Sequence, residues 1–170
     1  TPGPIAVDER VIEAMNRPAI AHYHPQYYEI FDETLDMLKS IFNTSGDVVI
    51  LPGSGRLGME ASIVSIADPE DKILSIVTGT FGRWFAEISK RAGCQVKILK
   101  GEWGRAINPE EIERALDREK FKAVTVVHSE TSTGACNFIE DIGKICKHYD
   151  TLFIAVSYTH LRAHETPEQL

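Results

Sequence analysis

From residue 26 to residue 42 the apolar positions Tyr28, Ile30, Phe31, Leu35, Leu38 and Phe42 recur close to every 3.6 residues, which predicts a long amphipathic helix. Residues 43–46, Asn-Thr-Ser-Gly, end it. A shorter helix is predicted from Asp8, an N-cap candidate, through about Asn16, with Val11, Ile12 and Met15 on one face. After residue 46 the pattern changes. Short β-branched runs that are apolar on both faces fall at 48–51, 72–77, 95–99, 122–127 and 152–154. Helical segments separate them at 56–67, 81–92 and 137–149, and Asn108-Pro109-Glu110-Glu111 has the cap, proline and acids of a helix start. Doubly apolar strands alternating with helices predict an α/β fold with a mainly parallel sheet. In such sheets ligands sit at the carboxyl ends of the strands.

Composition narrows the function classes. The chain has 170 residues, a net charge of -7, 43% hydrophobic and 25% charged residues. That is ordinary for a globular domain, and the acidic balance argues against nucleic acid or an anionic membrane surface as main partner. No apolar run approaches the roughly 20 residues that span a bilayer. Cys94, Cys136 and Cys146 are widely spaced and odd in number, as expected of reduced thiols in a cytoplasmic protein.

Three loops follow strands and carry candidate chemistry. The first, Gly53-Ser54-Gly55-Arg56-Leu57-Gly58, spells G-x-G-x-x-G before a helix and suits a phosphate at the helix start; the alternative is a tight turn with no ligand. A dinucleotide would need an acid at the end of the next strand to bind its ribose, and that strand ends Ser-Ile-Val-Thr-Gly-Thr. The second loop offers Phe81, either a core residue or a platform for a planar ring. Trp84 and Phe85 read as core. The third, Val127 to Gly134, has four hydroxyl side chains, which either donate to a ligand or cap their own turn. His128-Ser129-Glu130 matches half of a zinc deaminase motif without its P-C-x-x-C, and His22 and His24 lack a third ligand. No metal is expected.

The end of the chain changes character. Val156 onward, in "VSYTHLRAHET", resembles the translation of a transposase adapter used in DNA library preparation. Natural sequence is therefore expected to stop at about Ile154, and the chain's opening without Met suggests a processed or truncated start. The expected organisation is an N-terminal arm and helices over 1–46, a partial large domain over 47–155 and a non-native tail over 156–170.

Read together, "TPGP" (1–4), "GSGRLGMEA" (53–61), "GTFGRW" (79–84), "EWGRAINPEEIE" (102–113) and "VHSETSTG" (127–134) resemble the class V aminotransferases. The likeness is nearest to the alanine–glyoxylate, serine–pyruvate and ureidoglycine–glyoxylate group. It implies the three-layer α/β/α large domain of the aspartate-aminotransferase fold, incomplete at its C-terminus, and pyridoxal 5'-phosphate as cofactor. By the resemblance, Ser54, Gly55 and Arg56 hold the cofactor phosphate. Phe81 stacks on the pyridine ring, where many relatives have Trp, and Thr131 donates to the phenolic oxygen. Gly3 lies near the substrate carboxylate. Arg56 stands where His or Thr is commoner and favours a polar or acidic substrate.

The family's Schiff-base Lys and pyridinium-binding Asp fall beyond the expected truncation; Val occupies position 156, where the Asp is expected. The parent is thus expected to be a homodimeric transaminase moving an amino group from a small amino acid to glyoxylate or pyruvate, and the fragment itself inactive. A cysteine desulfurase or lyase of the same fold, and a non-catalytic nucleotide- or phosphate-binding module, are the alternatives.

Overall fold

The computed structural model describes residues 6–157. The chain divides into two compact units, the first ending at Ile50 and the second starting at Leu51. In the first, α1 (Glu9–Met15) begins at Asp8, whose carboxylate accepts from the Arg10 backbone N–H at 2.9 Å. The helix α2 (Pro25–Phe42) begins at His24, whose Nδ1 accepts from the Gln26 N–H at 3.2 Å, and ends on Asn43 in the left-handed region at φ 48°. No residue of either helix is buried.

Residues 48–51 do not form the expected strand; they run without regular pairing, with Val49, Ile50 and Leu51 exposed. A strand exists only through hydrogen bonds to a neighbour. No described segment pairs with this one.

The second unit alternates as the sequence pattern predicts: α3 (Gly55–Ile66), β1 (Lys72–Val77), α4 (Thr80–Arg91), β2 (Gln95–Lys100), α5 (Pro109–Arg118), β3 (Ala123–Val127), then a small hairpin of β4 (Ser129–Glu130) and β5 (Ala135–Cys136), α6 (Ile139–His148) and β6 (Leu152–Val156). Asn108 caps α5, accepting from the Glu110 N–H at 3.1 Å, with Pro109 following it. The sheet has the order β2-β1-β3-β6 and is parallel throughout. The last strand continues through Val156, which pairs with Val127.

The strands' period of two sends alternate residues to opposite faces. Leu74, Ile76, Val124 and Val126 pack with Ile112 and Leu116 of α5 and Ile142 of α6. Ile73 and Ala123 pack with Met59 and Ile63 of α3 and Phe85 of α4. The result is three layers, with the sheet between the two helix pairs. The handedness rule explains the sorting. The chain crosses from β1 outward to β2 through α4, then reverses through α5 and α6, so the later helices must cover the other face. One buried polar pair interrupts the apolar packing: Thr125 Oγ1 donates to Ser75 Oγ at 3.0 Å between adjacent strands. No helix among the described residues is long and apolar enough to cross a membrane.

Candidate functional site

The direction of travel across the sheet reverses between β1 and β3, which are neighbours. The loops leaving their carboxyl ends part to opposite sides, which makes this edge the place for a ligand. The loop after β1 leads into α4 at Phe81, and the chain after β3 forms the β4–β5 hairpin.

The start of α3 is open to an anion. Ser54 is its N-cap but makes no capping hydrogen bond through its side chain, and the first turn holds no acidic residue. The helix dipole and the early N–H groups of this end are therefore not offset by the N-cap side chain or by an acid in the first turn of α3. Arg56 adds a cation there. Its guanidinium carbon lies 5.0 Å from the centroid of the Trp84 ring, a cation–π contact that ties α3 to α4. Phe81 in turn meets Trp84 edge to face, with centroids 5.0 Å apart.

The start of α4 is closed by a different route. Its N-cap, Gly79, has no side chain to offer. The carboxylate of Glu130, fully buried, comes from the hairpin instead and accepts from the Phe81 N–H at 3.3 Å and the Gly82 N–H at 3.0 Å. Ser132 completes the set, donating to Glu130 Oε1 through its hydroxyl at 2.6 Å and its N–H at 3.2 Å. The same hydroxyl accepts from the Thr80 N–H at 2.8 Å. Close packing makes both glycines necessary: a Cβ at Gly79 would lie 2.4 Å from Glu130 Cγ, and one at Gly82 would lie 2.8 Å from the Ile76 carbonyl oxygen.

A second buried amide secures the base of the hairpin. Asn137 Nδ2 donates to Thr78 Oγ1 at 3.0 Å and to the Val127 carbonyl at 2.8 Å, while its Oδ1 accepts from the Ile107 N–H at 3.1 Å. Thr133 Oγ1 donates to the Thr78 carbonyl at 2.9 Å. Thr133 and Asn137 thus fasten the hairpin to Thr78, just past the end of β1.

The structure places the sequence-derived residues as follows. Ser54 and Arg56 are exposed at the start of α3, with Gly55 half-buried between them. Phe81 is half-buried at the start of α4, and Thr131 is exposed in the hairpin turn. Gly3 lies outside the described residues. Trp84, expected in the core, is only half-buried; its ring carries the Arg56 cation and meets Phe81 edge to face. Phe85 is buried as expected. His128 and Glu130 join no metal cluster, and no group of three or more ligating side chains is found among the described residues. Sequence reasoning missed the roles of Glu130, Ser132 and Asn137. A buried-polar signal cannot be read from local pattern when the partners lie about fifty residues away. A shallow cleft lined by Leu116, Phe121 and Tyr149 among others opens at the amino ends of β3 and β6, opposite these loops.

Comparison with known proteins bears on the family and the fold. The family model described as aminotransferase class-V matches residues 9–158. The chain is 39% identical over 155 residues to (S)-ureidoglycine–glyoxylate transaminase of Bacillus subtilis, covering 91% of this chain and 37% of that protein. It is 33% identical over 155 residues to an alanine–glyoxylate aminotransferase of Drosophila melanogaster, covering 90% and 39%. The crystal structure of the Bacillus subtilis ureidoglycine–glyoxylate aminotransferase superposes with a TM-score of 0.88 over 91% of this chain and 40% of that one. The chain spans about two fifths of the length of these relatives. The expected α/β fold is borne out over the part it spans.

Proposed function

Since the chain belongs to the class V aminotransferases, we propose that it carries the phosphate- and ring-binding part of a pyridoxal-phosphate-dependent transaminase. The reaction moves an amino group from a small amino acid to glyoxylate or pyruvate. The observation that carries this reading is the contrast between two helix starts. The start of α4 is filled by Glu130, whereas that of α3, beside Arg56, has no acidic or capping side chain of its own. A dianionic phosphate suits the second and not the first.

When bound, pyridoxal phosphate supplies the electron sink that lets an amino acid lose its α-proton. The chain's residues would hold and orient it. The Ser54 hydroxyl and the N–H groups of Gly55 and Arg56 donate to the phosphate, and the Arg56 guanidinium adds charge. The Phe81 ring covers one face of the pyridine. The Thr131 hydroxyl donates to the phenolic oxygen. By the family resemblance alone, Gly3 would lie near the substrate carboxylate. The roles of nucleophilic Lys and pyridinium-binding Asp are assigned to no residue of 1–155. The parent works as a homodimer in the cytoplasm.

Titrating the full-length parent with pyridoxal phosphate, and following the cofactor absorbance and amino transfer from alanine to glyoxylate, tests this. Saturable binding that falls with Ser54→Ala and Arg56→Ala supports it. Absence of binding, or binding indifferent to both changes, overturns it.

A further inference from the structure

The residue pair proposed to contact the cofactor ring, Phe81 and Thr131, sits on two loops that meet through one side chain. Glu130 immediately precedes Thr131, and its carboxylate takes the N–H groups of Phe81 and Gly82. We infer that Glu130 is a positioning residue: it sets the distance between the ring-stacking Phe81 and the hydroxyl of Thr131, and so shapes the ring half of the cofactor site without touching the cofactor. This inference rests on the proposed pyridoxal-phosphate reading.

Four features of the chain support it. The carboxylate is fully buried and accepts four hydrogen bonds, so its position is over-determined. It stands at the positive end of α4, where a carboxylate is favoured and where Gly79 provides no cap. The chain clears space for it, since any Cβ at Gly79 would overlap both Glu130 and Ser132. Lastly, Glu130 belongs to the hairpin, and the Thr133 and Gly134 N–H groups close the turn onto its own carbonyl at 3.1 and 2.8 Å. The carboxylate therefore fixes α4 while the backbone of the same residue fixes the turn that presents Thr131. The phosphate contacts on α3 share no hydrogen bond with this arrangement and meet it only through the Arg56–Trp84–Phe81 ring contacts.

That separation supplies the test. Glu130→Gln keeps the shape but turns one acceptor into a donor facing N–H groups. Ser132→Ala removes only the hydroxyl that links Glu130 to Thr80. In the full-length parent, three quantities are compared with wild type: hydrogen exchange at the Phe81 and Gly82 amides without cofactor, affinity for pyridoxal phosphate, and competition by inorganic phosphate. In Glu130→Gln both amides are expected to exchange about tenfold faster and pyridoxal phosphate to bind about tenfold more weakly, as loss of a buried hydrogen bond implies. Inorganic phosphate should keep its affinity within about twofold, because none of the altered hydrogen bonds reaches α3. Ser132→Ala should shift the same two quantities in the same direction by less, and it decides the matter alone if the Gln variant does not fold. Unchanged cofactor affinity and amide exchange in a folded variant overturn the inference while leaving the transaminase reading standing. Equal loss of pyridoxal phosphate and inorganic phosphate also overturns it, since Glu130 would then be supporting the whole domain. Failure of the wild type to bind pyridoxal phosphate overturns both.

Discussion

The Arg56 guanidinium carbon lies 5.0 Å from the centroid of the Trp84 ring, and that contact joins the first turn of α3 to the first turn and a half of α4. Trp84→Leu leaves the helix intact but removes the π face. A partly exposed cation–π contact contributes about 0.5–1 kcal/mol. The variant is expected to bind pyridoxal phosphate about two- to fivefold more weakly while its affinity for phosphate-free pyridoxal stays level. An equal change for both ligands would show that Arg56 does not act through the phosphate.

Asn137 is buried at the base of the hairpin and makes three hydrogen bonds there. Asn137→Ala strands the Ile107 N–H, the Val127 carbonyl and the Thr78 hydroxyl in an apolar setting. The expected loss is at least about 2 kcal/mol, because each orphaned buried group costs on that order. Urea denaturation of the full-length protein reads it directly, as a lower midpoint at unchanged slope.

Ser75 and Thr125 form a closed pair between β1 and β3. Ser75→Ala leaves Thr125 without that acceptor, and Thr125→Val does the reverse, so each single change is expected to cost about 1–2 kcal/mol. The double variant should recover part of the loss, since neither hydroxyl then lacks its mate. Strict additivity in a double-mutant cycle would mean the hydrogen bond contributes nothing.

Much of the fold could be read from the pattern alone, and the reasons are local. The strand at Lys72–Val77 was expected at those residues, and the Asn108 cap, the Pro109 start and the Gln95 strand start follow directly from their residue types. The run at 48–51 had the composition of a strand and failed, because pairing is supplied by another segment and composition cannot supply it. In the candidate site, Ser54, Arg56, Phe81 and Thr131 drew attention through motif and resemblance. Glu130 looked like half of a metal motif; only the approach of a helix 48 residues earlier gives it its work. Trp84 was read as core from its helical position, and nothing in sequence pairs it with Arg56.

The cysteines separate by exposure. Burial pushes the Cys146 thiol up from 9.0 to about 11, and Cys94 is raised by burial and then by the nearby Asp71. Cys136 is exposed. An alkylating reagent at pH 8 should therefore label Cys136 alone, and the other two only after denaturation, as intact-mass analysis would show. The sign for stability follows from the raised value. The native state holds the Cys146 proton more tightly than the unfolded chain, so this contribution is whole below pH 9 and is lost as pH rises through about 11. A Cys146→Ser variant should show a shallower loss of stability across that window.

The cap on α4 also has a consequence in time. Its carboxylate lies 48 residues after the Gly82 N–H it satisfies, and Asn137 lies 59 residues after Thr78. At about 5–20 residues per second, a ribosome synthesises α4 and β2 seconds before it supplies Glu130. Until then the first turn of α4 has no acceptor for its leading N–H groups, and Phe81 has no fixed direction. The sheet can begin to assemble early, but the ring-facing half of the site is completed late, when the hairpin folds back onto β1. A nascent chain halted before residue 130 should be partly folded and unable to grip a planar ligand.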